Sequence, residues 1–191
     1  MKDVIIVPTY NERENIEVLV PLIFETLHGV NVLVADDSSP DGTEKTVMDL
    51  KYKYPNLSLI SRKSKDGLGK AYINAFKEVL KDSNVRTVVM MDADLSHDPK
   101  YLIEMLNKSK SYSVVIGSRY VAGGETVGWE AWRRILSFFG NLYCRTITGM
   151  PIKDCTGGFN VINADLLRKI DFSKMDMSGY AFIMEIKYLL Y

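Results

Sequence analysis

The sequence predicts an α/β fold with a mostly parallel central sheet and helices on both faces. Three observations carry this. Five short apolar runs rich in β-branched residues recur along the chain. The first four are each followed by a stretch of helical periodicity. Polar residues gather where the runs end, as they do in open α/β sheets that bind ligands at the carboxyl edge.

The runs are residues 4–7, 30–35, 57–60, 85–91 and 114–116. Each is bounded by polar or turn residues, the signature of a buried strand. After the first run, Ile16, Leu19, Val20, Ile23 and Leu27 fall on one helical face. Pro21 conflicts with that pattern because it lacks a backbone donor, so a kink or an early boundary is expected. Residues 43–54 form the second helix, with Val47 and Leu50 on a shared face. Residues 71–80 form the third, with Ala71, Ala75, Val79 and Leu80 facing inward. Residues 100–107 form the fourth, carrying Leu102, Ile103 and Leu106. Beyond Gly117 the pattern changes. Residues 117–128 are Gly-rich, and residues 129–147 are an aromatic, basic helix candidate.

Bulk properties narrow the function. The chain has 191 residues, 47% of them hydrophobic, which suits one domain with a sizeable core. Lys plus Arg and Asp plus Glu number 24 each, which argues against a non-specific nucleic-acid binder. Cys144 and Cys155 make neither a disulfide framework nor a zinc site. They read as packing residues in a reducing compartment. His28 and His97 are too far apart to suggest a His-based metal site. Lys2-Asp3 leads directly into a strand-like run, so no signal peptide is expected. No apolar stretch approaches the roughly 20 residues of a membrane span.

The strand ends carry the chemistry. Asp92-Ala93-Asp94 follows the apolar Val88-Val89-Met90-Met91. Such a carboxylate pair can hold a divalent cation against a diphosphate, since hard cations prefer carboxylate and phosphate oxygens. The first run ends in Pro8-Thr9-Tyr10-Asn11-Glu12, where a dinucleotide-binding glycine turn is missing, so NAD is not expected. The second ends in Asp36-Asp37-Ser38-Ser39-Pro40-Asp41-Gly42, with Asp41 or Thr43 as a helix cap and one of Asp36 and Asp37 as a crevice residue. Gly67-Leu68-Gly69-Lys70-Ala71 has two readings: a flexible start to the third helix, or backbone that admits a ligand. The fifth run ends in Gly117-Ser118-Arg119.

Arg133 and Ser137 are four residues apart, hence on one helical face. With Arg119 they form either a phosphate-binding group or part of a solvated basic surface. The same helix carries a stripe of Trp132, Ile135, Leu136, Phe139, Leu142 and Tyr143, and core burial is the expectation for most of it. The alternative is a lipid-headgroup boundary for Trp129, Trp132, Phe138 and Phe139 beside Arg133, Arg134 and Arg145.

These motifs, in order, resemble family 2 glycosyltransferases. Met91-Asp92-Ala93-Asp94-Leu95-Ser96-His97-Asp98-Pro99 and Gly117-Ser118-Arg119-Tyr120 look like those of dolichyl- and polyprenyl-phosphate mannose synthases. Trp132-Arg133-Arg134 with Ser137, Gly140-Asn141, Asp154-Cys155-Thr156-Gly157-Gly158-Phe159 and Gly179-Tyr180-Ala181-Phe182 with Glu185 extend the resemblance over essentially the whole chain. It implies a GT-A fold (Rossmann-like, for nucleotide-diphospho-sugar transfer) over residues 1–191. It also implies a divalent metal, Mg²⁺ or Mn²⁺, and transfer of mannose from GDP-mannose to dolichyl or polyprenyl phosphate with inversion.

By the same resemblance, Pro8, Tyr10, Glu12 and Asp37 hold the donor nucleoside. Asp92 and Asp94 hold the metal and diphosphate, Ala93 adding a backbone contact. Arg119, Arg133 and Ser137 contact the acceptor phosphate, so that Asp92, Asp94 and Arg119 carry the catalysis. Asn160 stands where relatives carry arginine. The chain stops inside the helix-like run at residues 188–191, so truncation at the C-terminus is expected. A peripheral location at the cytoplasmic face of a membrane follows, with no nucleic-acid partner. The rival readings are transfer from UDP-glucose or UDP-N-acetylglucosamine, transfer to a hydroxyl with Glu185 or Asp154 as base, and a non-catalytic nucleotide-binding module.

Overall fold

The computed structural model describes residues 1–62, 66–124, 126, 130–175, 177 and 179–191, and at Arg133 the backbone alone. Six strands form one sheet: β1 (Lys2–Thr9), β2 (Asn31–Asp36), β3 (Leu57–Ser61), β4 (Val85–Met90), β5 (Val114–Ile116) and β6 (Asn160–Asn163). Their order is β3-β2-β1-β4-β6-β5. The β1–β2, β1–β4 and β2–β3 pairs are parallel. β6 was not among the five expected runs. It lies antiparallel between β4 and β5, with Asn160 in register with both Met90 and Ile116.

Strand alternation sends side chains to two cores. Ile5, Val7, Val32, Val34, Val89 and Val161 face one core. Val4, Ile6, Leu33, Val88, Met90 and Ile162 face the other. The first is covered by α1 (Arg13–Thr26), α2 (Thr43–Lys51) and α4 (Tyr101–Lys108). The second is covered by α3 (Leu68–Val79) and, later in the chain, by α6 (Ala164–Leu167) and α7 (Gly179–Leu190). A helix α5 (Ala131–Thr148) precedes β6, and a 3-10 turn spans Phe172–Lys174.

The helices refine the expected faces. Ile16, Leu19, Val20 and Ile23 of α1 are buried as expected, and the helix runs through Pro21 to Thr26. α2 ends at Lys51, three residues before the expected position 54. In α3, Ala71, Ala75 and Val79 are buried, but so are Tyr72 and Phe76, a second and bulkier row. Tyr72 stacks on Phe76 and on Phe182 of α7, at ring separations of 5.8 and 5.9 Å. In α4, Met105 is buried beside Leu102 and Leu106, while Ile103 is 48% exposed.

The expectation for α5 fails. Trp132, Ile135, Leu136, Phe139, Leu142 and Tyr143 are all exposed, at 46–71%. α3, α6 and α7 already close the second sheet face, and α5 packs instead through Cys144 in a small cluster with Met150 and Cys155. Cys144 and Asn141 are its buried side chains among the described residues. Cys144 and Cys155 are free and buried, as expected of packing residues. Trp129 lies outside the described residues.

The two glycines that open α3 act differently. Gly67 adopts φ +91°, a conformation that suits glycine. Gly69 is a packing glycine: a Cβ there would sit 2.6 Å from the Met177 carbonyl oxygen and 3.0 Å from the Phe182 ring. This close approach brings α3 against α7. Gly69→Ala should therefore destabilise the fold by about 1–3 kcal/mol through overpacking. Gly140→Ala, at a helical position with open space around it, should raise helix stability by up to about 1 kcal/mol. Chemical denaturation of both variants checks this; equal shifts would mean that α3 and α7 do not touch at Gly69.

Candidate active site

The carboxyl ends of β1, β2 and β4 open onto one crevice. β6 runs the other way, so its beginning, rather than its end, lies at that edge. The loop at residues 154–159 is thereby delivered to the same place as Asp92 and Arg119.

At the β1–β2 end, buried polar groups tie the chain ends together. Asp36 is fully buried and accepts hydrogen bonds from Thr9 Oγ1 at 2.8 Å, Ser39 N at 2.8 Å and Ser39 Oγ at 2.6 Å. It is a structural carboxylate. Asp37, the expected nucleoside contact, receives Arg62 Nη1 at 2.6 Å, and both side chains are at most 10% exposed. Burial pushes the Asp37 carboxyl above its ordinary range, and Arg62 opposes this. Arg62 follows β3 and belongs to no motif, yet its guanidinium pairs with Asp37 at this end of the crevice.

Asp41 joins two helices. It accepts from the backbone N of Arg13 and of Thr43, each at 3.0 Å. Slight burial is outweighed by these bonds and by the Thr43 hydroxyl, leaving its carboxyl below the usual range. The N-cap of α2 is Gly42 rather than Asp41 or Thr43, with Asp41 accepting from Thr43 N, the first residue of the helix. Glu12 donates its backbone N to Thr43 Oγ1 at 3.1 Å, and its carboxylate accepts from Asn15 at 2.6 Å. Pro8 is half-buried at the end of β1, and Tyr10 is exposed just beyond it.

At the end of β4, Asp92 is half-buried, Ala93 is packed into the first core and Asp94 is exposed. Asp94 Oδ1 accepts from Ser96 N at 3.1 Å and Ser96 Oγ at 2.6 Å. Asp92 N donates to His97 Nδ1 at 2.9 Å, so the neutral ring carries its proton on Nε2, 3.7 Å from Asp92 Oδ2. His97 stacks on Phe159 at 4.8 Å. Burial raises the Asp92 carboxyl, His97 opposes that rise and Asp94 adds to it. Burial also lowers the His97 imidazole. Its spacing in the sequence hid this role. His97 is no ligand in a His cluster; it is a prop for the Asp92 turn.

Among the described residues, no three His, Cys, Asp or Glu groups converge on one metal position. Asp92 and Asp94 are two carboxylates that could serve as a donor set. That set fits a hard divalent cation that completes its shell with phosphate and water oxygens.

Arg119 and Asp154 form the opposite wall. Arg119 donates to Asp154 through its backbone N at 3.0 Å, Nε at 2.8 Å and Nη2 at 2.6 Å. Nη2 also reaches Thr156 Oγ1 at 2.7 Å. Asp154 is fully buried; burial alone would raise its carboxyl, but Arg119 holds it below the usual range. The loop's glycines sit in tight contact. A Cβ on Gly158 would lie 3.0 Å from Asp92 Oδ2, and one on Gly157 would lie 3.1 Å from the Asp154 carboxylate. Thus Gly157 and Gly158 bring the carboxylate-pair side and the Arg119 side together. Ser137 of α5 accepts from the Tyr120 hydroxyl at 2.7 Å, which joins it to the Arg119 turn. The Arg133 side chain lies outside the described residues.

Residues 4–171 match the sequence family described as Glycosyl transferase family 2. The chain is 37% identical over 188 residues to an undecaprenyl-phosphate mannosyltransferase from Micrococcus luteus, covering 98% of this chain and 77% of that one. It is 39% identical over 188 residues to a polyprenol monophosphomannose synthase from Mycolicibacterium smegmatis, covering 97% and 70%. Among solved structures it is similar to the mannosyltransferase PcManGT from Pyrobaculum calidifontis, in complex with GDP-Man and Mn²⁺. The TM-score is 0.61 at 20% identity, covering 89% of this chain and 46% of that one. It is also similar to glucosyl-3-phosphoglycerate synthase from Mycobacterium tuberculosis, in complex with Mn²⁺, UDP and glucosyl-3-phosphoglycerate. There the TM-score is 0.64 at 16% identity, covering 97% and 63%. The chain thus spans about half to two thirds of these solved structures, and they establish the GT-A fold. With the sequence family matched from β1 to the residue before the 3-10 turn, the chain belongs to glycosyl transferase family 2.

Proposed function

We propose that this chain is a polyprenyl-phosphate mannose synthase. It transfers mannose from GDP-mannose to dolichyl or polyprenyl phosphate with inversion, giving the β-linked lipid phosphate sugar. One observation carries this reading. The carboxylate pair Asp92 and Asp94 and the cationic Arg119 stand on the two sides of a single glycine loop, Gly157 contacting Asp154 and Gly158 contacting Asp92. A site that moves a sugar from a nucleoside diphosphate to an acceptor phosphate needs cation-binding carboxylates for the first and a cationic side chain for the second. The names of the two bacterial relatives support the lipid-phosphate acceptor and the mannose, and the GDP-Man complex of the archaeal neighbour supports the donor.

In this reading residues 1–191 act as a single catalytic domain. Pro8, Tyr10, Glu12 and Asp37 hold the nucleoside, with Arg62 fixing Asp37. Asp92, Ala93 and Asp94 hold the diphosphate end. Mg²⁺ or Mn²⁺ bound by the two carboxylates supplies positive charge to the departing nucleoside diphosphate. Arg119, Arg133 and Ser137 orient the acceptor phosphate for in-line attack. That phosphate is ionised near neutral pH, with its second pKa at about 6, so no base is required. Asp154 suits this scheme and suits a hydroxyl acceptor poorly. Both its oxygens are committed to Arg119 and its carboxyl is held low, which makes it a weak proton acceptor.

The membrane enters through α5. No helix among the described residues is long and apolar enough to cross a bilayer. The exposed stripe of Trp132, Ile135, Leu136, Phe139 and Tyr143 gives α5 the character of an interfacial helix, with Arg134 exposed beside it. Lying against the cytoplasmic leaflet, it would bring Ser137 to the headgroup level where a polyprenyl phosphate sits.

Three outcomes are expected. Asp94→Asn should abolish most transfer, raising the barrier by on the order of several kcal/mol, with the fold intact. A donor panel of GDP-mannose, UDP-glucose and UDP-N-acetylglucosamine with polyprenyl phosphate, run with Mg²⁺ and Mn²⁺, checks it; wild-type rates for the variant would reject the metal site, and preference for a UDP sugar would reject the donor. Arg133→Ala should raise the KM for polyprenyl phosphate far more than that for GDP-mannose. The opposite split would place this arginine at the donor end. Phe139→Asp should weaken liposome binding by about tenfold or more, since burying such a ring contributes about 1.5–3 kcal/mol. Co-sedimentation with anionic vesicles measures this, and unchanged binding would remove α5 from the membrane contact.

A further inference from the structure

Lys187 lies under the crevice wall, and the mechanism above does not use it. It lies on α7, the most apolar helix of the chain, and is only 4% exposed. Its neighbours along the helix, Phe182, Ile183 and Ile186, fill the second core. Nζ donates to the carbonyl oxygen of Asp154 at 2.9 Å and to that of Gly157 at 2.7 Å. Burial lowers its ammonium to about 8; Asp154 and Cys155 oppose that fall and Arg119 adds to it.

A buried ammonium costs several kcal/mol in lost solvation. An apolar side chain would dock α7 without that cost, so the ammonium calls for a reason beyond packing. The two carbonyls it bridges supply one. They are the two ends of the turn from Asp154 to Gly157. Asp154 at one end grips Arg119. At the other end, Gly158 follows Gly157 and lies against Asp92. Further bonds hold the same turn from other sides: Cys155 N donates to Asn141 Oδ1 at 2.6 Å, and Asn160 Nδ2 donates to the Gly157 carbonyl at 3.1 Å. Among the described bonds that reach the turn from other elements, only those of Lys187 span both of its ends. Charge adds a second effect. The Asp154 carboxylate favours the charged form of both Lys187 and Arg119.

We propose that Lys187 is a positioning residue: its ammonium clamps the turn from Asp154 to Gly157 and so sets the spacing between the Arg119 side and the Asp92 side of the crevice. The kinetic consequence rests on the function proposed above; the clamp itself does not.

The test therefore has two arms. Lys187→Met keeps the length of the side chain and removes the charge and the donors. In hydrogen exchange by mass spectrometry, amides of residues 155–158 should exchange at least tenfold faster, while those of β1, β2 and β4 stay as in the wild type. In transfer assays, kcat should fall at least tenfold with the KM for GDP-mannose within threefold. If Lys187→Met does not fold, Lys187→Gln is measured in the same way, with the same directions expected. The proposal requires both arms. Folded variants with wild-type protection at 155–158, or with kcat within twofold of wild type, overturn it. So does protection lost evenly over α7 and the sheet with kcat per folded molecule unchanged, the mark of a merely structural lysine. If the wild-type chain transfers no sugar at all, the proposed function fails, and the exchange arm alone decides whether Lys187 holds the turn.

Discussion

The crevice depends on one buried carboxylate. Asp154 has no solvent exposure, and three bonds from Arg119 together with one from the Gly157 backbone N satisfy it. A carboxylate without water is tolerated only when its lone pairs are filled by charged or well-aligned donors. That requirement fixes the guanidinium, the turn at Ser118–Tyr120 and the loop before β6 in one arrangement. Breaking any of them leaves a buried charge uncompensated, so the wall behaves as a unit.

Topology makes this unit possible. Parallel strands place their carboxyl ends at one edge, and β1, β2 and β4 do so here. An antiparallel strand inserted between β4 and β5 places its beginning at that same edge. The loop entering β6 can then lie between the end of β4 and the end of β5, and Gly117, Gly157 and Gly158 remove the side chains that would keep the three apart. These three glycines serve contact distance rather than backbone freedom, since none of them adopts a positive φ.

The opposite end of the crevice is assembled by a different device. Asp36, Asp37 and Asp41 stand close together in the chain, yet their partners differ. Asp36 ties β1 to β2, Asp37 meets Arg62, and Asp41 joins the starts of α1 and α2. Asn11 and Ser38 take positive φ values of 59° and 54° in the turns that make these contacts. Such left-handed positions cost energy for residues other than glycine, and the hydrogen bonds around Asp36 and Asp41 offset that cost.

The alternation of strand and helix, the inward faces of α1 and much of α3, and the acidic pair after β4 can be read from the order of residues. These follow from local periodicity and from the chemistry of residues adjacent in the chain, which need no knowledge of distant partners. Tertiary structure alone decided the rest. β6 is four residues long and escaped the strand pattern, although its insertion forms the site. Arg62 and Lys187 carry no motif, because what defines them is a partner 25 and 30 or more residues away; His97 lies in the motif after β4, but its bond to the Asp92 backbone is set by the geometry of that turn. The stripe on α5 was legible, but its direction was not. Periodicity reports that a helix has an apolar face; only the occupancy of the neighbouring sheet surface decides whether that face meets the core or the outside.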